Sequence, residues 1–205
     1  QVAYPDVALT GMIRRFQEHL NLLLLNMYLV VSTSLNPESR SRILAERAFE
    51  ELKKHNEDVH FVDLSQLSLP VCDGASCYGH PDSQSVTAAI EKAQGILLAS
   101  PVYNYDVSAS CKNLIEITGK AWTEKVVGFL CAAGGQGSYM ALMGLANSLM
   151  LDFRSLVLPK FVYAKGDAFA GNSISDDDCE ERITELVGQL VKITNAVCRD
   201  SKESA

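Results

Sequence analysis

Apolar residues follow two alternating rhythms along the chain. Residues 27–31 (MYLVV), 95–100 (GILLAS) and 125–133 (KVVGFLCAA) are short, almost continuously apolar runs. Strands covered on both faces read this way. Residues 58–64 (DVHFVDL) and 155–164 read as two more strands. Between the runs, apolar positions recur every three or four residues. Over residues 39–55 the stripe is Ile43, Leu44, Ala48, Phe49 and Leu52, the mark of an amphipathic helix. Further helices are expected from Asp82 or Ser83 to residue 94, over 111–119 and over 138–151. A last one starts at the acidic cap of residues 175–178 (SDDD) and reaches about Arg199; acids suit the first turn of a helix. Five strands alternating with five helices predict a parallel sheet wrapped on both sides. In such sheets ligands bind beyond the carboxyl ends of the strands. The loops after strands one, three and four therefore matter most.

The start of the chain reads in two ways. Arg14 and Arg15 followed by the apolar run 20–31 resemble a signal peptide. That run is too short to span a bilayer, and Asn21 and Asn26 interrupt it. Val7, Leu9, Met12, Ile13, Phe16, Leu20, Leu23 and Leu24 instead mark a broadly helical face. Residues 1–26 are read as a helical extension packed on the domain or on a partner subunit. Residues 27–199 then form one compact α/β domain, and 200–205 a tail. A chain of 205 residues suits a single core of ordinary size.

Composition narrows the function. With 47% apolar and 21% charged residues the chain is not intrinsically disordered. Its formal charge of −7 argues against nucleic acid and against anionic membrane surfaces as partners. It leaves room for a local phosphate site, because a helix N-terminus holds an anion without net positive charge. Six scattered cysteines do not suit a secreted disulfide scaffold and fit a reducing, cytoplasmic compartment. Cys131 reads as a small buried hydrophobe. Cys72, Asp73, Cys77 and His80 are close in sequence, but without a second cysteine pair they miss zinc spacing. No metal is expected.

The first loop, residues 32–41 (STSLNPESRS), holds five hydroxyl side chains and an arginine and leads straight into a helix. Free amides at that helix start, with Ser34, Ser39, Ser41 and Arg40, suit a small terminal phosphate. Taken alone, Ser39 as a simple cap and Arg40 as a solvated side chain explain the loop equally well. After strand three come Pro101, Val102, Tyr103, Asn104, Tyr105 and Asp106, with two tyrosines offering flat surfaces. After strand four come Gly134, Gly135, Gln136 and Gly137, which let a ligand approach the backbone. The partial dinucleotide fingerprint there lacks its final glycine and follows the wrong strand. Ser138 is not in a hydrolase elbow. No histidine pairs with an obvious nucleophile, and Trp122 reads as a packing residue.

Together the three loops resemble the NAD(P)H-dependent FMN reductase family of flavodoxin-like proteins, over most of residues 27–197. In the family's phosphate loop Ser34, Ser39, Arg40 and Ser41 match, while Thr33 replaces a glycine and Asn36 an arginine. In its second motif Pro101, Tyr103, Asn104, Lys112 and Asn113 match. Ser108, Ala109, Cys111 and Glu116 stand where Pro, Gly, Leu and Asp are usual. Gly134 and Gly135 match its third. The resemblance implies a flavodoxin-like five-stranded parallel sheet, order 2-1-3-4-5, with helices on both faces. It implies FMN as cofactor and NADPH or NADH as electron donor, with a free flavin, quinone or similar small acceptor. The FMN phosphate would lie on Ser34, Ser39, Arg40 and Ser41, with Asn36 beside them. The ring would lie along Pro101, Val102, Tyr103, Asn104 and Tyr105. The backbone of Gly134, Gly135, Gln136 and Gly137 would meet its pyrimidine edge. The flavin carries the chemistry, so no catalytic acid or base is implied. A homodimer or homotetramer is implied. Two alternatives stay open: a flavodoxin-type electron carrier without direct NAD(P)H oxidation, and a scaffold that has lost its cofactor.

Overall fold

The computed structural model describes residues 26–56 and 58–203. The helical extension expected over 1–26 lies, apart from Asn26, outside the described residues. The elements in chain order are β1 (Tyr28–Ser32), α1 (Arg40–Lys53), β2 (Val59–Asp63), α2 (Pro81–Lys92), β3 (Gly95–Tyr103), β4 (Asp106–Val107) and α3 (Ala109–Thr118). After them come β5 (Val126–Ala132), α4 (Met143–Phe153), β6 (Leu156–Val157), β7 (Val162–Ala164), β8 (Phe169–Ala170), β9 (Ser173–Ile174) and α5 (Asp177–Glu203).

The main sheet runs β2-β1-β3-β5, all parallel, and β6 and β7 both continue it beside β5. This is the flavodoxin-like arrangement. The fifth strand expected over 155–164 is two short pieces. Leu158 still donates its N–H to Val127 O at 2.8 Å, but Pro159 follows and has no N–H to give.

β3 runs three residues further than expected. It continues through Pro101, which pairs with Ala132. Ala99 accepts from Thr33 N on the β1 side. Pro101 has the same parity, so its missing N–H falls where β1 has already ended. Asn104 and Tyr105 then take φ of 51° and 65°, and β4 pairs back antiparallel, Val102 with Val107 and Tyr103 with Asp106. Two consecutive left-handed residues make a hairpin turn whose twist suits the strands. The stretch 101–110, expected as a loop, is thus largely strand and hairpin.

Helix starts differ in small ways. α3 begins at Ala109 because Ser108 Oγ accepts from Cys111 N at 3.2 Å. α2 begins at Pro81 behind His80, whose Nδ1 accepts from Asp82 N at 3.2 Å. The helix expected over 138–151 is a tight 3-10 turn (Gln136–Leu142) followed by α4. α5 runs to Glu203, past 199 and into the expected tail.

Two cores flank the sheet. Val30, Leu97 and Leu130 meet Leu44, Ala48 and Leu52 of α1 and Ile183, Leu186 and Val187 of α5. On the other face Val31, Leu98 and Phe129 meet Val86 and Ile90 of α2, Leu114 of α3 and Leu149 of α4. Trp122 is fully buried in this second core, its Nε1 donating to Thr118 Oγ1 at 2.7 Å. Packing of α5 depends on a bare backbone at Gly128: an added Cβ would stand 2.9 Å from Leu97 Cδ2 and 3.1 Å from Leu186 Cδ1. Among the described residues no helix is long and apolar enough to cross a membrane.

Candidate functional site

A cleft of about 500 Å³ opens beyond the carboxyl ends of β1, β3 and β5. The first loop contributes Ser34, Asn36, Ser39, Arg40 and Ser41. The end of β3 contributes Pro101, Val102 and Tyr103, and the loop after β5 contributes Gly134. The structure brings these sequence-selected residues together.

Short side chains fold the first loop. Ser39 caps α1, its Oγ accepting from Arg42 N at 3.1 Å and lying 3.0 Å from Ser41 Oγ. Asn36 Oδ1 accepts from Glu38 N at 3.0 Å, and Ser34 Oγ from Asn36 N at 3.3 Å. Arg42 anchors the loop from outside, donating to Pro37 O at 3.1 Å and pairing with Asp63 at 2.8 Å. The first-turn amides of α1, which have no intrahelical acceptor, border the cleft. Arg40 is exposed and forms no ion pair among the described residues. Its guanidinium lies 5.7 Å from the Phe169 ring centroid, and Nη1 would stand 2.9 Å from a Cβ placed on Gly166. The charge is therefore free to meet an anion.

Three departures from the family pattern, Thr33, Ser108 and Cys111, are buried behind the cleft, while Asn36 lines it. Thr33 is fully buried, and its Oγ1 and N both donate to Ala99 O at 2.9 Å. Ser110 Oγ donates to Thr33 O at 2.5 Å. Ser108 Oγ lies 3.4 Å from both Thr33 Oγ1 and Ser100 Oγ. Thr33, Ser108 and Ser110 thus lash the ends of β1 and β3 to the start of α3. Cys111 is fully buried in the same place, and burial pushes its thiol up to about 12. It stays protonated at neutral pH and is no nucleophile.

The far wall is aromatic and open. Tyr103 is 53% exposed; Tyr105, 72% exposed, lies outside the lining of the cleft. Tyr105 leans toward the glycine-rich turn, where a Cβ on Gly137 would lie 3.5 Å from its Oη. Asn104 is not in the cleft; the left-handed turn carries it into a neighbouring one of about 600 Å³ with Lys112 and Ser148. Tyr103 lines both clefts. Gly135 and Gly137 also fall outside the lining of the first cleft. Gly135 O is held by the Tyr163 hydroxyl, and Gln136 opens the 3-10 turn. A Cβ on Gly134 or Gly135 would meet nothing within 4 Å. Packing does not demand glycine there, and the backbone is left open to close approach.

Sequence reasoning passed over Glu38, Ile43, Ala132, Ala133, Gly171 and Asn172, which also line the cleft. Gly171 (φ 60°) and Asn172 reach it on the β8–β9 hairpin. Their Gly-Asn dipeptide is a hairpin signal within what reads as a polar loop. Among the described residues no three His, Cys, Asp or Glu cluster as metal ligands.

The donor set fits a planar ring with a terminal phosphate. One end of the cleft offers hydroxyls, helix amides and an unpaired guanidinium. The other offers a strand edge with a tyrosine and open glycine backbone. The volume is ordinary for a cofactor site. Ser32, which ends β1, keeps a buried hydroxyl without a partner among the described residues.

Comparisons with known proteins agree. The family model described as NADPH-dependent FMN reductase matches residues 27–169. An NAD(P)H-dependent FAD/FMN reductase of Geobacillus thermodenitrificans is 28% identical over 159 residues, 75% of this chain and 85% of that protein. An NADH-dependent FMN reductase of Pseudomonas putida is 29% identical over 166 residues, 77% of this chain and 87% of that protein. Among solved structures, the NAD(P)H:(acceptor) oxidoreductase of Paracoccus denitrificans superposes with a TM-score of 0.69 at 19% identity. That match covers 83% of this chain and 98% of that one. With its family model spanning most of the sheet and all three cleft-forming loops, this chain belongs to the NADPH-dependent FMN reductase family.

Proposed function

We propose that this cleft binds FMN and that the protein uses it to oxidise NADPH or NADH, passing electrons to a small acceptor such as a free flavin or a quinone. The observation that carries this reading is one cleft with an anion-ready helix start and Arg40 at one end, and Tyr103 and Gly134 at the other. FMN, when bound, supplies the two-electron carrier. Ser34, Ser39, Ser41 and the α1 amides hold the phosphate by hydrogen bonds, and Arg40 adds the charge-assisted one. Pro101, Val102 and Tyr103 give the ring an edge to lie against. Tyr163 holds the Gly135 carbonyl still, so the neighbouring backbone keeps its aim. Thr33, Ser108 and Ser110 position these walls without touching the ligand. We take residues 27–199 as the cofactor-binding unit and 1–26 as an extension. We place the protein in the cytoplasm as a homodimer or homotetramer, with neither nucleic acid nor membrane as partner.

The test is a visible absorption spectrum after FMN loading and desalting, repeated on anaerobic addition of NADPH or NADH. A retained flavin band that bleaches supports the reductase. A band that neither nucleotide bleaches would favour an electron carrier. No retained band, together with no NAD(P)H oxidation when free FMN is supplied, would overturn the proposal.

A further inference from the structure

Outside the cleft, two cysteines lie close together away from its lining. They lie in the segment between β2 and α2. Cys72 and Cys77 have their Sγ atoms 3.7 Å apart. The contact is built by the backbone. Asp73 accepts from Ala75 N at 2.9 Å, Cys77 N at 3.0 Å and Ser76 Oγ at 2.5 Å. Gly74 turns the chain with φ of 71°. These bonds fold residues 73–77 back on themselves and bring the second thiol to the first. From the other side, Asn113 of α3 accepts from Cys72 N at 2.8 Å and donates to Pro70 O at 2.9 Å. Cys72 is therefore fixed to a helix while Cys77 is carried on a small turn.

We propose that Cys72 and Cys77 form a two-electron redox site, closing to an intramolecular disulfide when the protein meets hydrogen peroxide. Closure needs the sulfurs to approach from 3.7 Å to about 2.05 Å. The 3-10 turn Ser76–Gly79 supplies that movement, since its N-terminal side is held by the Asp73 carboxylate and not by strand pairing. The two thiols have different roles. Cys77 is 2% exposed, and burial with the Asp73 carboxylate beside it raises its thiol above the ordinary range. Cys72 is partly exposed and is the sulfur that peroxide reaches. The Cys72 thiolate attacks one peroxide oxygen, the O–O bond breaks, and Cys72 becomes a sulfenic acid as hydroxide leaves and takes up a proton to become water. The Cys77 sulfur then attacks Cys72, the S–S bond forms, and the sulfenic oxygen departs as a second water with the Cys77 proton. Two thiols and one peroxide give one disulfide and two waters. An external dithiol reverses the change by exchange.

Closure also reaches the surface around it. Val71, 84% exposed, precedes Cys72 and lines an apolar groove with Leu67 and Leu69. Asn113, which grips Cys72, sits next to Lys112 on α3. The disulfide would lock this rim of the groove.

The experiment treats the full chain with hydrogen peroxide, without added flavin or nucleotide, then alkylates and maps the peptides by mass. This readout is independent of the flavin reading. The expected result is a single chain lighter by about 2 Da, with Cys72 and Cys77 linked and protected from alkylation, and reopened by dithiothreitol. In Cys77→Ser, dimedone should trap a sulfenic acid at Cys72. In Cys72→Ser, no adduct should form at Cys77 over the same time. Both thiols remaining alkylatable after peroxide, or Cys72 linked between two chains, would overturn the proposal. So would dimedone labelling of Cys77 ahead of Cys72.

Discussion

Replacing Arg40 with alanine should cost FMN binding and spare the fold. The side chain is exposed and has no ion pair among the described residues. Its recorded aromatic contact, with Phe169 at 5.7 Å, is worth about 0.5–1 kcal/mol. That bounds the loss of stability, and for a domain of this size it moves the melting temperature by about 2–4 °C at most. A charge-assisted hydrogen bond to phosphate is worth about 1.5–3 kcal/mol, which is roughly 10- to 150-fold in Kd. Riboflavin has the same ring and no phosphate, so its affinity should change little. The assay is flavin fluorescence titration of wild type and Arg40→Ala with both ligands, at low and high salt. The FMN-specific loss should shrink as salt rises. Equal losses for FMN and riboflavin, or unchanged FMN affinity, would refute the placement of the phosphate on this loop.

Three further outcomes can be checked by unfolding. Gly128→Ala forces a Cβ to within 2.9 Å of Leu97 and 3.1 Å of Leu186 and should destabilise by about 1–3 kcal/mol, read from the urea midpoint. Ser108→Ala removes the cap of α3 and should cost about 1 kcal/mol; a change within error would mean the serine network behind the cleft is idle. Glu51 is held below its ordinary pKa chiefly by the Lys54 hydrogen bond, with Arg47 adding to it against the opposing effect of burial. A depressed folded value means its contribution is full above the unfolded value of 4.5 and is lost as pH falls through the folded one. Glu51→Gln should therefore be less stable than wild type at neutral pH, and the gap should narrow in acid. A gap that stays constant as the pH falls would count against the pairing.

Much of this site was legible because its chemistry and its fold share one signal. The continuous runs at 95–100 and 125–133 announce buried parallel strands, and hydroxyls crowd the loop between strand one and the next helix. Ser34, Ser39, Arg40 and Ser41 stand out only when that loop is read together with the loops after strands three and four. Pro101 misled, because proline usually marks a loop. It is tolerated within β3 since β1 has ended on the side its nitrogen faces. Asn104 lines the neighbouring cleft for a related reason: the hairpin that turns it aside depends on Tyr105 adopting a left-handed conformation, which tyrosine rarely does. The stretch 155–164 reads as one strand because it is largely apolar, and Pro159 breaks it by withholding an N–H from the sheet. Gly171 and Asn172 were beyond reach, because their hairpin comes to the cleft through tertiary packing and not through any periodicity.

The extended β3 gives the cleft one fixed jaw. Pro101, Val102 and Tyr103 lie on the same unbroken strand that pairs with β1 and β5 in the centre of the sheet. Pro101 pairs with Ala132 of β5, and Val102 and Tyr103 with β4, so moving that jaw means breaking sheet hydrogen bonds, and the Val102 and Tyr103 amides should exchange slowly. Arg40 opens α1 at the end of the first loop, Gly134 sits on a loop, and Gly171 on a two-residue hairpin. Admission and release of ligand therefore fall to those three segments closing against a rigid strand, and exchange measured with and without flavin should slow there and nowhere along β3.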